Sequence, residues 1–300
     1  MTVRKTLVSL AVLGLLAAAS PAAALEWSDN AFHLSWGANY REPGAVKAGT
    51  TDPLNISKTT LNFTHASGDK LGDNFLSLDM YISNGNDPAA GSAQGATEVY
   101  AVFRRSFSLN RITDSKMFTF TGVRDVRLEG GLDIGTKNNT FASHKVMPAL
   151  GASLALDVPG FLNVGAFITK EWNNNGFMHA SGTVASGGEV VFEATPAFFT
   201  AWGIPLGSLP LELDGFANVI LPKGRDGFGN KTATEVVLQP TLMWNVTQGF
   251  TGKKGSYELG VGYQYWLNKY GNDNSLTVNG VKVNSGALAS TVFVQAAVHL

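Results

Sequence analysis

Residues 30 to 41 of the chain read Asn30-Ala31-Phe32-His33-Leu34-Ser35-Trp36-Gly37-Ala38-Asn39-Tyr40-Arg41. Every second position is apolar or aromatic, in the order Phe32, Leu34, Trp36, Ala38 and Tyr40. The positions between them are mostly polar or glycine, in the order His33, Ser35, Gly37, Asn39 and Arg41. Because side chains of a β-strand point alternately to its two faces, this spacing predicts a strand between an apolar and a wet environment.

The same two-residue period recurs along the rest of the chain, in stretches separated by clusters of Gly, Asn, Asp, Pro and Ser. Eleven further strands are predicted: Lys58–Ala66, Asn74–Ser83, Glu98–Leu109, Phe118–Gly135, His144–Asp157, Phe161–Asn173, Glu189–Trp202, Leu211–Leu221, Glu235–Val246, Tyr257–Asn268 and Ala287–Leu300. The total is even, which is typical of a membrane barrel with both chain ends on its periplasmic side.

The connections between these strands alternate in length. Those after odd-numbered strands are mostly long and polar, such as Asn84–Thr97 and Lys269–Gly286, and those after even-numbered strands are mostly shorter, such as Ser67–Asp73. Outer-membrane barrels have long outer loops and short periplasmic turns, whereas a soluble sandwich has no reason to sort its loops. The pattern favours an all-β fold, a transmembrane antiparallel up-and-down β-barrel of about twelve strands.

Aromatic residues on the predicted outward faces support a membrane barrel. They are Trp36, Tyr40, Phe103, Trp202, Trp244, Tyr263 and Tyr265, and several lie near strand ends. Girdles of aromatic side chains at the two membrane interfaces have this distribution. We therefore expect these seven side chains to face lipid.

The first 24 residues have the pattern of an export signal. Arg4 and Lys5 precede an apolar run from Leu7 to Ala19, and Ser20-Pro21-Ala22-Ala23-Ala24 offers a cleavage site of small residues. The run is too short for a helix that crosses about 30 Å of hydrocarbon. We expect a signal peptide over residues 1–24, a barrel over residues 25–300 and insertion into a bacterial outer membrane.

Composition and charge exclude several classes of function. Without Arg4 and Lys5 the chain has 20 basic and 23 acidic residues and no basic cluster, unlike a nucleic-acid-binding protein. It has no cysteine, which removes disulfides, thiol nucleophiles and cysteine metal ligands. The histidines have no metal-binding spacing, and they are His33, His65, His144, His179 and His299. We therefore predict no cofactor and no metal.

One serine needs to be compared with barrel enzymes. Ser83-Asn84-Gly85 is similar to the His-x-Ser-Asn-Gly pattern of the outer-membrane phospholipase, but Tyr81 stands at the position of the histidine. Because a serine hydroxyl without a nearby base is a poor nucleophile, this site predicts no enzymatic activity. Asn84-Gly85 is more simply interpreted as the beginning of a loop.

Several short segments between residue 27 and about residue 218 share their order and spacing with a known family. They are Trp27-Ser28-Asp29-Asn30, Tyr40-Arg41-Glu42-Pro43-Gly44, Asn62-Phe63-Thr64-His65-Ala66-Ser67-Gly68, Thr97-Glu98-Val99-Tyr100, Val123-Arg124-Asp125-Val126, Asp157-Val158-Pro159-Gly160-Phe161-Leu162-Asn163-Val164-Gly165, Trp202-Gly203-Ile204-Pro205 and Gly215-Phe216-Ala217-Asn218. They resemble the nucleoside-specific channel (Tsx-like) family of outer-membrane porins, which includes the OmpK-type proteins. The resemblance implies a monomeric twelve-stranded barrel whose narrow pore binds and passes nucleosides. The terminal strand departs mildly from such barrels, which usually end in Phe, because this chain ends in Leu300.

Charged residues on the polar faces predict the lining of a pore. An arginine at mid-bilayer costs about 2–4 kcal/mol, so charges that alternate with apolar residues must face the lumen. With the aromatic residues on the same faces, the candidates for pore lining and ligand contact are Phe75, Asp79, Tyr81, Glu98, Tyr100, Arg104, Asp125, Arg127, Glu129, Asp133, Phe167, Glu171, Asp214, Phe216 and Trp266. Their mixed signs argue against strong ion selectivity. Alternatively, these charges pair to rigidify the wall and the rings only fill space.

Two functions remain open for such a barrel. The first is a passive channel for small solutes, with nucleosides as the expected class, outer-membrane lipid as the surrounding partner and no nucleic-acid partner. The second is a structural or surface-interaction barrel, with the loops Asn173–Gly188 and Pro222–Thr234 as adhesin-like or phage-binding segments. A soluble periplasmic β protein is a third possibility, which osmotic-shock fractionation distinguishes from a barrel.

Overall fold

The computed structural model describes residues 25–92, 94–139, 141–176 and 188–300. The signal peptide predicted over residues 1–24 lies outside the described residues, as do His179 and most of the loop Asn173–Gly188. Among the described residues, no helix is long and apolar enough to cross a membrane.

Twelve long strands make up most of the fold. They are β1 Trp27–Tyr40, β2 Ile56–Asp69, β3 Gly72–Ser83, β4 Thr97–Ser108, β5 Val123–Lys137, β6 His144–Leu156, β7 Phe161–Thr169, β8 Thr195–Pro205, β9 Leu211–Ile220, β10 Glu235–Asn245, β11 Tyr257–Leu267 and β12 Ala289–His299. Each pairs antiparallel with its neighbours in the sequence, and β1 also pairs with β12. The sheet therefore closes, and the predicted twelve-stranded antiparallel barrel is confirmed.

The predicted strand boundaries agree with the structure to within a few residues, apart from three ends. β5 begins at Val123 rather than Phe118, because Phe120 and Val123 exchange backbone hydrogen bonds across a tight turn at Gly122, whose φ is 76°. β7 ends at Thr169, and β8 begins at Thr195 rather than Glu189. The residues left over form two short strands, Trp172–Asn174 and Glu189–Val191, which pair with each other beside β6.

The connections lie at two ends of the barrel. The described residues of segments 41–55, 84–96, 138–143, 170–194, 221–234 and 268–288 lie at one end, called here the loop end. Segments 70–71, 109–122, 157–160, 206–210 and 246–256 lie at the opposite turn end, together with both barrel termini. The predicted contrast in length holds for most connections, with three exceptions: segment 138–143 is short, and segments 109–122 and 246–256 are long.

Short helices account for the longest connections at the turn end. α1 (Leu109–Ile112) begins where the Ser108 hydroxyl accepts a hydrogen bond from the Arg111 amide, and α2 (Val246–Thr251) begins where Asn245 accepts one from Gln248. Such caps satisfy amides that a helix leaves unpaired at its start. At the loop end, a single 3₁₀ turn (Lys269–Gly271) precedes a small hairpin of Thr277–Val278 and Val281–Lys282.

The outer wall of the barrel is apolar. On β1, Phe32, Leu34 and Trp36 are each about half exposed, at 51%, 51% and 52%. Their partners on the neighbouring strands are also mostly apolar, such as Phe63, which pairs with Phe32. Six of the seven aromatic residues predicted to face outward lie on this wall by register. Hydrocarbon is the environment that such a surface requires.

Tyr40 is the exception, and its predicted outward position is wrong. The register of β1 against β2 shifts between Gly37 and Tyr40. An irregularity of this kind breaks the alternation of the strand, so the Tyr40 side chain turns inward. There its ring is 7% exposed, lies against Gly37 and has the Nζ of Lys58 5.9 Å from its centroid.

Glycines on the inner wall let large side chains lie flat against it. A Cβ at Gly262 would lie 2.1 Å from the Cζ of Phe293, and one at Gly135 would lie 2.8 Å from the Cδ2 of Tyr100. Only glycine leaves room for a ring in these places. The rings therefore protrude less into the lumen than their size alone would require.

We expect Leu34→Arg to destabilise the barrel by about 2–4 kcal/mol, because the charge would face hydrocarbon. Equilibrium urea unfolding in lipid vesicles measures this free energy. Ser35→Arg is the matched control, since the adjacent side chain points into the lumen and its replacement should cost much less. Equal losses for the two variants would contradict the assignment of the faces.

Candidate functional site in the lumen

Fourteen of the fifteen candidate residues lie on the inner face of a barrel strand by register. They are Phe75, Asp79 and Tyr81 on β3, Glu98, Tyr100 and Arg104 on β4, Asp125, Arg127, Glu129 and Asp133 on β5, Phe167 on β7, Asp214 and Phe216 on β9, and Trp266 on β11. Glu171 instead follows the end of β7, so its predicted place on that strand is wrong.

Glu171 is held at the loop end by lysines. Its side chain is 4% exposed, forms an ion pair with Lys223 and lies 3.9 Å from the Nζ of Lys145. Burial by itself raises the pKa of this carboxyl, but Lys223 and Lys145 outweigh burial and lower it. Glu171 therefore ties the segment after β7 to the segment after β9.

Three of the candidates meet around one carboxylate. The Tyr100 hydroxyl donates to Oδ2 of Asp133 at 2.9 Å, and Nη1 of Arg104 lies 2.5 Å from Oδ1. Both oxygens of Asp133 therefore have a donor. The pairing neutralises two charges and leaves other guanidinium N–H groups of Arg104 in the lumen.

Arg104 also reaches one of two stacked aromatic rings on a distant part of the wall. Its guanidinium carbon lies 5.1 Å from the centroid of the Phe199 ring, which stacks on Phe167 at 4.9 Å and 27°. Arg104 is on β4 and Phe199 is on β8, so the contact extends past the three strands between them. We call Tyr100, Arg104, Asp133, Phe167 and Phe199 the belt, because their contacts join β4 and β5 to β7 and β8 inside the barrel.

The remaining candidate charges are mostly paired along the wall. Asp79 accepts from Asn62 at 2.9 Å and from Ser77 at 3.3 Å. Arg127 lies 2.8 Å from Asp73 and 3.4 Å from Asp125, Glu129 accepts from Ser153 at 2.7 Å, and the Trp266 indole donates to Glu235 at 2.8 Å. These bonds rigidify the wall, as the alternative interpretation of the inner charges expects.

A second group of buried charges lies at the loop end. Glu42 forms ion pairs with Lys58, with Lys269 at 2.9 Å and with Lys137 at 3.6 Å. Lys137 also pairs with Asp87 at 2.7 Å. All five side chains are at most 7% exposed. We call these five residues the mouth cluster, because they join segments 41–55, 84–96 and 268–288 over the barrel opening.

Sequence reasoning missed the mouth cluster. Lys58 offered a signal, since it alternates with Thr60 and Asn62 on the inner face of β2. Lys137 was missed because β5 extends past Gly135, where the prediction stopped. The sequence offered no signal for Glu42 and Lys269, because they lie in loops that are 227 positions apart.

The two loop members of the mouth cluster have displaced pKa values. Burial by itself raises the pKa of the Glu42 carboxyl, but Lys269, Lys58 and Lys137 hold it well below its ordinary value. Burial lowers the pKa of Lys269 to about 8, aided by repulsion from Lys58 and Lys137 and opposed by the attraction of Glu42 and Glu98. Glu42 is therefore anionic at neutral pH, and Lys269 loses its proton in mild alkali.

Acidic side chains dominate the lumen near the turn end. His299 lies 3.0 Å from Asp29 and 3.6 Å from Glu258, and Lys254 lies 3.3 Å from Glu212. Asp214 is on the same inner face as Glu212. In the part of the chain that the structure describes, no group of three or more His, Asp or Glu residues is arranged to hold a metal.

No protein-family model and no curated protein matches the chain. It is similar in structure to the translocator domain of the autotransporter NalP from Neisseria meningitidis, with a TM-score of 0.40, 14% identity and coverage of 90% of this chain and 87% of that chain. It is also similar to the β domain of the Bordetella autotransporter BrkA, with a TM-score of 0.37, 8% identity and coverage of 90% of this chain and 98% of that chain. A third similar structure is the Pseudomonas aeruginosa outer-membrane protein OpdK, with a TM-score of 0.26, 10% identity and coverage of 92% of this chain and 99% of that chain. Similarities of this size assign neither a ligand nor an activity to the chain.

We expect Glu42→Gln to loosen the loop end, because three lysines would then share a buried site without their common counter-charge. Removing one partner of a buried ion pair costs about 3–5 kcal/mol. Single-channel conductance in planar bilayers should rise, and the reversal potential in a KCl gradient should shift toward anions. The control is Asp52→Asn, which removes an exposed ion pair with Lys47 from the same loop. Unchanged conductance for Glu42→Gln would refute a role of the mouth cluster in closing the opening.

The selectivity of the pore should depend on pH through Lys269. This lysine is charged below about pH 8 and neutral above it. Raising the pH from about 7 to about 9 removes one positive charge from the opening, so the ratio of anion to cation permeability should fall. Reversal potentials measured across this range should show the change, and Lys269→Met should abolish it. A change of equal size in Lys269→Met would place the titrating group elsewhere.

Proposed function

We propose that this chain is an outer-membrane channel for the passive diffusion of small solutes, with nucleosides as its preferred class. The observation that carries the proposal is the belt, in which two stacked rings lie beside an arginine, a carboxylate and a phenol. A nucleoside needs both kinds of contact, since its base is flat and its sugar carries hydroxyl groups.

Phe199 and Phe167 supply the apolar part of such a site. Stacking of a base on an aromatic ring is worth about 1–3 kcal/mol. Arg104 now covers Phe199, so an arriving base would have to share that ring with the guanidinium or displace it. Arg104 can then donate to the base edge or the sugar, while Asp133 and Tyr100 accept from or donate to hydroxyl groups.

Charge pairing favours an uncharged solute. Arg104 is neutralised by Asp133, and Glu42 and Asp87 offset the lysines of the mouth cluster. An ion would meet fields of both signs between the lysine-rich loop end and the acidic turn end, whereas a neutral solute has no such barrier. This agrees with a nucleoside and does not suit a selective ion pore.

The cellular setting belongs to the same proposal. An export signal over residues 1–24 would carry the chain to the periplasm, and the apolar outer wall would then insert as a monomer into the outer membrane. The loop end would face the outside, because both barrel termini lie at the turn end. Membership of the Tsx-like family would account for the segments quoted between residues 27 and 218.

A second candidate function rests on the outer loops. Phe228, in the predicted interaction loop Pro222–Thr234, is 57% exposed although it is a large apolar residue. Such a residue at a loop tip suits contact with another molecule. Deleting residues 225–231 would abolish binding of such a partner and leave solute flux intact. A protein that is only a channel would bind no such partner before the deletion, and its flux would not change.

Nucleosides should reduce ion current through the purified protein in planar bilayers, whereas charged sugars and amino acids should not. We expect Phe199→Leu to weaken this block about tenfold, because it removes a stacking ring worth about 1–3 kcal/mol. Phe198→Leu is the matched control, since the adjacent ring faces outward and is 46% exposed. No block by any nucleoside, or equal effects of the two variants, would reject the substrate assignment.

A further inference from the structure

A polar group borders the apolar outer wall near the turn end of β1 and β2. The Oγ of Ser67 lies 3.0 Å from Nε2 of His65, and Nδ1 of His65 lies 2.8 Å from Oδ1 of Asn30. Asn30 pairs with His65 across the two strands and shares its face with the outward Phe32. A serine, a histidine and an asparagine therefore form one hydrogen-bonded chain on the side that meets lipid.

The strand geometry produces this chain directly. His65 and Ser67 are two positions apart and so point to the same side, while Asn30 is the cross-strand neighbour of His65. An Asn30 carbonyl oxygen can only accept, so it holds the proton of His65 on Nδ1. The lone pair on Nε2 then faces the Ser67 hydroxyl, as a general base requires.

Arg105 lies on the same outer face, two strands from Ser67 through Asn74. Its Nη2 donates to Asp69 at 2.9 Å, so the guanidinium reaches from β4 past β3 to β2, two residues beyond Ser67. The side chain is 2% exposed, yet its Nε and Nη1 have no hydrogen-bond partner among the described residues. Unpartnered buried donors cost free energy unless something else uses them.

We propose that Ser67, His65 and Asn30 form the active site of a lipid acyl-ester hydrolase on the outer wall, with Arg105 as the donor to the oxyanion. The relay of serine, base and orienting group is recognised by geometry rather than by fold. An adjacent cationic donor can stabilise the charge that develops on the ester oxygen. This activity is separate from diffusion through the lumen.

The reaction follows from these roles. Ser67 Oγ attacks the ester carbonyl carbon while His65 Nε2 takes its proton, and Arg105 stabilises the tetrahedral oxyanion. The carbon–oxygen bond to the alcohol then breaks, and His65 returns the proton to the leaving alkoxide. Water next attacks the acyl-serine, again giving a proton to His65, which passes it to Ser67 as the fatty acid leaves. Asn30 touches no substrate atom and acts as a positioning residue.

The position of the site selects the substrate class. Ser67 is two residues from Asp69, where β2 ends, so it lies near the edge of the apolar wall. Ester groups of glycerophospholipids lie at this level, between the hydrocarbon core and the headgroups. Ser67 is only 1% exposed, so an acyl ester must displace a neighbouring side chain and must come from the lipid side. Phospholipid acyl esters lie at the depth of Ser67 and approach it from the lipid side, so they fit both conditions.

A histidine two positions before the serine is missing at Ser83 and is present at Ser67. His65-Ala66-Ser67 supplies the histidine two positions before the serine that Tyr81 does not supply for Ser83. Asn30 could not be assigned from sequence, because it is 35 positions from His65. The sequence alone therefore predicted no enzyme, and the pairing of β1 with β2 changes that expectation.

The test uses the mature chain refolded in phospholipid vesicles and a phospholipid with fluorogenic acyl esters. We expect turnover that Ser67→Ala lowers at least about a thousandfold. A fluorophosphonate probe should modify Ser67, as mass spectrometry of the labelled peptide would show. Asn30→Leu should lower kcat with KM unchanged, and Asn30→Asp should restore much of kcat.

The matched control is Ser290→Ala, which removes another outward serine that bonds to Tyr263 rather than to a histidine. It should keep full turnover, and both serine variants should keep the heat-dependent gel shift of a folded barrel and the wild-type conductance. Turnover in Ser67→Ala equal to that of the wild type, or absence of the probe from Ser67, overturns the proposal. Either result leaves the channel assignment unaffected, because conductance is measured separately.

Discussion

The structure depends on one requirement, that every backbone N–H and C=O within hydrocarbon has a partner. A single open sheet would leave two edges unpaired in lipid, at a cost of several kcal/mol for each group. Pairing of β1 with β12, from Ala31 with His299 to Gly37 with Phe293, removes those edges. Once the sheet is closed, each strand has an outside and an inside, and every other property of the protein follows from that separation.

The two faces carry different chemistry because they meet different solvents. Outside, apolar side chains face lipid, and the polar group of Asn30, His65 and Ser67 lies at the edge of this wall near the turn end. Inside, charges are tolerated but mostly paired, so the lumen offers rings and hydrogen-bonding groups rather than a net field. The mouth cluster uses the same pairing to hold the loops over the opening, where an unpaired lysine would be costly to bury.

Most of the barrel could be predicted because alternation is a local property. Twelve strands, their order and the inner position of residues such as Arg104 and Asp133 follow from which side chains can face lipid. The predicted outward position of Tyr40 was wrong because the register shifts between Gly37 and Tyr40. This shift breaks the two-residue period, and no residue type in the sequence signals it. The predicted beginning of β5 and the predicted end of β7 were wrong for a related reason. Alternation continued into residues whose backbone turns away, before Val123 at Gly122 and after Thr169.

The sequence by itself determined the number of strands and the face on which almost every strand residue lies, because a period of two is written in adjacent residues. Only the tertiary structure decided which residues meet. Glu42 reaches Lys58 and Lys269, which are 16 and 227 positions away, and Asn30 reaches His65 across 35 positions. Alternation fixes the direction of a side chain, whereas its neighbours are set by strand register, ring closure and the path of the loops, none of which a local pattern encodes.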